Sequence, residues 1–514
     1  MTVPYLPVLT VLPLVGAAAV LAVPKGRPAQ LAKVVALAFT LAELGITIGM
    51  CTQFAAGGPR FQLIEDYAWI PTFGVRFGFG ADGIALVLIA MVAVLMPVVV
   101  LASWHDAEPG KRPVKTFFAL MLSLQACTIG VFAATDLFLF YVFFEAMLVP
   151  MYFLIGSYGG PRRQYAAVKF FLYSLAGGLL MLAALIALYV VGKNQGINSF
   201  AFHDLVALHI SKSTQNWLFL GFFIAFAIKA PLVPFHTWLP DAGSEAPIGV
   251  AVLLVGVLDK VGTYGFLRWC LPLFPDASKR FAPVVLVLAV IGILYGALLA
   301  MGQNDLKRLV AYTSVAHFGF IALGIFAFTS QGGSGAVLYM VNHGLSTGAL
   351  FLCIGFLISR RGSRLTGDFG GMAQVAPLVA GVFLLAGLSA LAMPGTNTFV
   401  SEFLVLLGTF TVNHAMAVVA AVGMILAALY VLLMYQRTMH GPLNPSLPKM
   451  GDLSAREAWV IAPVLALVVA LGVYPKPLLD VITPAVNATM HDISTTDPGP
   501  TAAVNGSTQQ RGSN

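Results

Sequence analysis

Charge is scarce in this sequence. Asp, Glu, Lys and Arg together make up 10% of its 514 residues, against roughly a quarter in soluble globular domains. Too few polar side chains remain to coat a water-facing surface, which excludes an ordinary soluble domain. Cysteine is equally thin. Cys51, Cys127, Cys270 and Cys353 are singletons in or at the ends of apolar runs, without the paired spacing of disulfide frameworks, zinc sites or iron–sulfur clusters. No glycine-rich phosphate loop stands between a strand and a helix; Gly332-Gly333-Ser334-Gly335 reads as a short turn on the outer side. The net charge of +7 comes with no basic stripe interleaved with aromatics, so nucleic acid is not expected as a partner. The expectation is a chain holding no cofactor and no metal.

What abounds is apolar sequence, 59% of the residues. A span of about twenty apolar residues crosses a bilayer, and about fourteen such spans are present by that measure. They cover 4–23, 31–54, 83–104, 116–134, 137–156, 166–191, 215–239, 246–271, 283–302, 306–329, 335–358, 376–410, 415–438 and 458–474. The fold class is thus an all-α polytopic membrane protein. The first span has no cleavage-site pattern and is followed by others, so it reads as a retained helix. With the N-terminus outside, the inner loops hold sixteen basic residues, among them Lys25, Arg27, Lys111, Arg112, Lys307, Arg308, Arg364 and Lys449. The outer segments hold nine, including Arg60, Arg268 and Arg511, as the positive-inside bias requires. The last residues, rich in Thr, Gly, Ser, Asn and Gln, are expected to be disordered.

The spans also repeat. Blocks 116–271 and 283–438 each hold five and have equal length. An odd number of crossings starts the second block from the opposite side, so the two are expected to be inverted repeats. The division is 1–115 for three leading helices, 116–271 and 272–438 for the repeats, 439–480 for a closing helix and 481–514 for a polar tail. The fourth span of each block is interrupted: by Pro231 and Pro234 in the first, by Pro394-Gly395 in the second. Each proline removes the hydrogen bond to the carbonyl four residues back, at Ala227 and Ala230. Broken helices in matching positions of inverted repeats point to a transport site.

Lys229 stands directly before the first break, and Glu402 follows the second. A charge at that depth is costly unless partnered, and an intramembrane ionisable group is by default a functional hypothesis. Glu145, Lys260, His317 and His343 lie mid-span on other helices. Together the six make a candidate proton relay across the membrane plane, because burial disfavours the charged form of each group and so suits it to proton exchange. A Glu145–Lys229 approach to about 7 Å at an effective dielectric near 20 is worth about 2.4 kcal/mol, enough to bias a proton. Other ionisable residues have duller readings. Asp136 reads as a helix N-cap, Lys169 as snorkelling to the inner interface, and His236 as capping the first break. Asp259 points about 100° away from Lys260 on a regular helix and so faces a loop or headgroup. Glu43 is open between structural and functional roles.

These residues sit in long motifs. Phe144-Glu145-Ala146-Met147-Leu148-Val149-Pro150-Met151-Tyr152-Phe153-Leu154-Ile155-Gly156, Lys229-Ala230-Pro231, His236-Thr237-Trp238-Leu239-Pro240-Asp241-Ala242, Ala311-Tyr312-Thr313-Ser314-Val315-Ala316-His317 and Asn342-His343-Gly344 resemble the chain M type of antiporter-like subunit in the proton-pumping NADH–quinone oxidoreductase, respiratory complex I. The resemblance covers nearly the whole chain. It implies fourteen helices with inverted repeats and discontinuous helices, and proton translocation as the function. It implies a bacterial inner membrane and neighbours among the membrane-arm subunits, especially the antiporter-like chains L and N, besides membrane lipid. Flavin, iron–sulfur clusters and quinone would then belong to partner subunits. By position Glu145, Lys229, Lys260 and Glu402 match the family's relay residues, and Glu402 stands where the sister chains have lysine. Two positions depart from the family: Gly243, where histidine is frequent, and Asp259, where leucine is common. Glu245 or water is then expected to take over the histidine's step. A subunit of a multisubunit cation/proton antiporter, which shares fold and core charges, is the alternative.

Overall fold

The computed structural model describes residues 3–24, 28–107, 113–444 and 451–497. Lys25, Arg27, Lys111, Arg112, Lys449, Arg511 and most of the expected disordered tail lie outside the described residues. Among those described, twelve helices are long and apolar enough to cross a membrane, from Tyr5–Ala22 to Ala455–Val473. Between them, at the two expected breaks, lie the helix Lys212–Lys229 and two shorter apolar helices, Pro377–Ala390 and Asn397–Phe410.

Helix starts follow the polar residues at span edges. Asp82 accepts the Ala85 N–H at 2.9 Å, and Asp136 accepts those of Phe138 and Leu139, so Asp136 is the N-cap that its position suggested. Gly332-Gly333-Ser334-Gly335 is not a turn: it forms the first turns of helix Ser330–Arg361, capped by Thr329. Glycine reads as a turn signal, yet here it serves close packing. A Cβ on Gly335 would stand 2.8 Å from Leu404 Cβ, and one on Gly408 would stand 2.3 Å from the Gly332 nitrogen.

The first break differs from its reading as well. The Ala227 carbonyl is not orphaned, because Leu232 N–H reaches it at 2.9 Å. The Trp238 indole N–H donates to the Ile228 carbonyl at 2.8 Å. The Ala227 and Ile228 carbonyls are thus satisfied inside the protein, as hydrocarbon requires. In the second break Gly395 takes φ +93°, and Gly472 of the last span packs so closely that a Cβ there would lie 2.4 Å from Thr396.

Two elements were hidden in the sequence. Strands Gln62–Ile70 and Val75–Ala81 form an antiparallel hairpin between the second and third spans. Their alternation is too irregular to rise above the apolar background. The polar tail expected from 481 begins instead as helix Lys476–Asp492, with Ile482, Ala485, Val486 and Met490 buried. Four apolar residues at helical spacing suffice to seat it against the helices Gly83–Ala102 and Ser330–Arg361, and the Arg60–Asp492 ion pair ties it to the segment that leads into the hairpin.

The hairpin turn gives a direct test. Gly74 has φ +68°, and a Cβ there would stand 2.0 Å from the Asn198 carbonyl oxygen. Gly74→Ala should therefore destabilise this outer face by about 1–3 kcal/mol, read as a lower thermal midpoint of the assembled complex. An unchanged midpoint would show that the hairpin does not depend on this contact.

Candidate functional site

Lys229 is the last residue of its helix and is fully buried. No hydrogen-bond partner among the described residues reaches its ammonium, which lies 5.0 Å from the Phe144 ring centroid and 5.5 Å from that of Phe170. Aromatic faces partly replace the missing carboxylate. Glu145 does not touch it: its Oε1 is enclosed and unpartnered and occupies a notch in helix Arg163–Asn194 made by Gly178, where a Cβ would stand 1.7 Å from that oxygen. The two groups lie within electrostatic reach of each other.

Asp259 overturns its sequence reading. It is fully buried, both carboxylate oxygens lack a hydrogen bond, and it lies within electrostatic reach of both Lys229 and Lys260. The reason is local. Residues Leu254–Leu258 and Phe266–Cys270 are π-helical, so the helix wheel that sent Asp259 to the periphery does not hold around it. Gly262 brings this helix against the break, with a Cβ there 2.6 Å from the Ala230 nitrogen. A lone carboxylate beside a mid-span lysine was the available signal.

From Lys260 onwards the residues are in contact. Its Nζ lies 2.6 Å from His343 Nδ1 and also bonds the Val255 carbonyl, a backbone group that the π segment frees. The His343 and His317 rings are 5.1 Å apart, and His317 Nε2 lies 3.3 Å from the Tyr430 hydroxyl. The Tyr339 ring stands 5.8 Å from that of His317, and its hydroxyl donates to Glu402 at 3.2 Å. Of the six expected residues, Lys260, His317, His343 and Glu402 thus form one cluster, while Glu145 and Lys229 stand apart from it and Asp259 lies within electrostatic reach of both Lys229 and Lys260. Tyr339 and Tyr430 were missed. Tyr339 sits one turn before His343 on the same helix face, which was legible. Asn342 braces the second break by donating to the Asn397 carbonyl at 2.7 Å.

The inner rim is held by ion pairs. Lys169 does not snorkel: it pairs with Asp241 at 2.7 Å, which Arg308 also grips at 2.6 Å. Burial pushes the Asp241 carboxyl up, but these cations outweigh it and hold the group below the usual carboxylate range. Glu245 accepts from Arg364 at 2.9 Å and from the Arg162 N–H. It is therefore committed to a pair rather than free to replace a histidine at Gly243. His236 Nδ1 has no partner, and the ring packs edge-on against Tyr295 instead of capping the break through that atom. Glu43 is buried with both oxygens unpartnered, on the separate helix Ala29–Gln53. No group of three or more His, Cys, Asp or Glu is placed to hold a metal among the described residues.

This arrangement has known counterparts. Residues 134–428 match the family model described as NADH:quinone oxidoreductase/Mrp antiporter, TM. NADH-quinone oxidoreductase subunit M of Mycobacterium tuberculosis is 46% identical, over 98% of this chain and 96% of its own length. That of Rhodobacter capsulatus is 41% identical over 94% and 95%. Among solved structures, respiratory complex I from Thermus thermophilus with bound NADH contains a chain that superposes with TM-score 0.87 at 31% identity, covering 95% of this chain and all of that one. The Mrp complex from Dietzia contributes a chain with TM-score 0.84 at 22% identity, a likeness of fold.

The notch behind Glu145 yields a prediction. Gly178→Ala places a methyl group where the carboxylate now sits, so Glu145 must swing away. Proton pumping by the assembled complex should fall to the level of Glu145→Ala, measured as protons moved per NADH oxidised. Wild-type pumping in Gly178→Ala would mean that the position of this carboxylate is immaterial.

Proposed function

Because the chain belongs to the NADH:quinone oxidoreductase/Mrp antiporter family of membrane proteins, we propose that it acts as a chain-M-type subunit whose buried Glu, Lys and His residues relay protons. It is a multi-pass, antiporter-like subunit in the membrane arm of an NADH–quinone oxidoreductase, a complex that moves protons across the bacterial inner membrane. On this reading it performs no electron transfer itself. Flavin, iron–sulfur clusters and quinone reside in partner subunits, and the antiporter-like chains L and N flank it in the membrane arm.

The observation that carries the relay is the contact chain Lys260–His343–His317–Tyr339–Glu402. Glu145 senses the coupling signal and sets the charge on Lys229. Asp259, within reach of both lysines, takes up a proton between them. His343 and His317 carry it into the second repeat, and Glu402 hands it outward. Moving one charge against about 150–200 mV takes roughly 3.5–4.6 kcal/mol. One charge contact of about 2.4 kcal/mol falls short of that, so several linked sites are needed. A cation/proton antiporter subunit shares the fold. Glu402, where lysine would otherwise stand, and 41–46% identity to subunit M relatives favour the oxidoreductase.

Three substitutions test the relay in the assembled complex. Lys229→Ala should abolish most pumping, and near-normal pumping would remove Lys229 from the path. Lys260→Arg keeps the charge but cannot release its proton, so it should block translocation; full translocation would make Lys260 an electrostatic post. Glu402→Gln should stop outward release, and wild-type pumping would place the outlet elsewhere.

A further inference from the structure

Eight residues beyond Lys260 on the same helix, about 12 Å along its axis, lies Arg268, on the outer side by the charge bias. Its guanidinium is sealed in protein. Side-chain exposure is 1% for Arg268 and 2% for Asp82, which Nη2 approaches to 3.0 Å. Nε donates to the Tyr264 hydroxyl at 2.8 Å, and that hydroxyl donates to the Phe132 carbonyl at 2.8 Å. The Phe61 and Phe202 rings cover the guanidinium, their centroids 4.5 and 5.9 Å from Cζ. Both rings also line an outer cavity of about 350 Å³ shared with Asp66, Asp136, His203 and Asp204. Tyr264, Arg268 and Asp82 therefore form a polar column that begins one helical turn from Lys260 and leads towards a polar hollow at the outer face.

The column has the layout of a proton wire and the chemistry of a stopper. A proton hops along a chain only where each group accepts on one side and releases on the other. Arginine has five donors and no acceptor, and it is not deprotonated in proteins. The single Tyr264 hydrogen points at a backbone carbonyl, which cannot pass it on. Because the guanidinium is paired with Asp82 at 3.0 Å, the block lies in the chemistry of the donors rather than in repulsion. Stability does not account for the pair either: a buried ion pair roughly balances its own desolvation, and packed apolar residues in its place are often neutral or better.

We propose that the Arg268–Asp82 pair, with Tyr264, is a proton barrier that seals Lys260 from the outer side, so that its proton leaves only laterally towards His343. The proposal rests on Lys260 being a proton carrier. It makes Arg268 a positioning and insulating residue of the pump, and its signature is leak rather than loss of turnover.

The test uses the whole complex in vesicles without NADH, following passive proton flux down an imposed pH gradient with a pH-sensitive dye. Arg268→Lys keeps a cation opposite Asp82 but can release its proton, so flux should rise several-fold over wild type. Arg268→Gln should also leak, and adding Lys260→Ala to either should restore tightness because the lysine at the inner end of the column is gone. Assembled Arg268→Lys vesicles as tight as wild type would overturn the barrier, and so would a leak that survives Lys260→Ala. The two readings separate cleanly. Blocked pumping in Lys260→Arg with tight Arg268 variants removes the barrier alone, whereas full pumping in Lys260→Arg removes the carrier on which the barrier rests.

Discussion

Everything in this molecule depends on what hydrocarbon will not do for a polar group. It offers no hydrogen bond to a backbone amide and no solvation to a charge. The breaks near Lys229 and Glu402 exist because other parts of the protein take over. Trp238 and Leu232 take up the Ile228 and Ala227 carbonyls at the first. Asn342, Asn397 and Ser389 cross-link the second. The two buried lysines of the first block are handled differently. Lys260 is held by His343 and a π-helix carbonyl, whereas Lys229 is left facing aromatic rings. A lysine without a fixed partner is the one whose proton occupancy a moving carboxylate can change.

Glycine makes the rest of the geometry possible. Gly178 gives Glu145 its recess, Gly262 lets the helix of Lys260 approach the first break, and Gly472 seats the last span on the second. Each contact brings backbone or a charged oxygen to within 1.7–2.6 Å of where a Cβ would be. Elsewhere ion pairs fasten the rims. Asp241 and Glu245 collect basic residues on the inner side, while Arg268 and Asp82 close the outer side above Lys260. The ionisable groups thus divide into those locked in ion pairs at the rims and those at the centre, of which Lys260 and Glu402 have hydrogen-bond partners whereas Lys229 and Asp259 have none.

Much of this was legible. The spans, both breaks and the depth of the six candidate relay residues follow from runs of apolar residues and the prolines within them, since a bilayer punishes any other arrangement. Asp136 as a cap was readable from its place before an apolar run. Lys169 and Glu245 were misread because their partners lie tens of residues away, and Asp259 because of the local helix geometry. Lys169 meets Asp241, Glu245 meets Arg364, and the face of Asp259 depends on π turns that periodicity assumes away. The hairpin and helix Lys476–Asp492 were hidden because short, weakly alternating segments do not stand out beside long apolar runs.

The sequence by itself determined that the chain lives in the membrane, where its helices break and which ionisable groups are buried, because transfer of polar groups into lipid is costly enough to leave few alternatives. Which of those groups touch was decided only by tertiary structure. The order Lys260, His343, His317, Tyr339, Glu402 and the open gap at Lys229 are set by helix packing over long sequence separations, where differences of a few ångströms separate a contact from a gap and carry no local sequence signal.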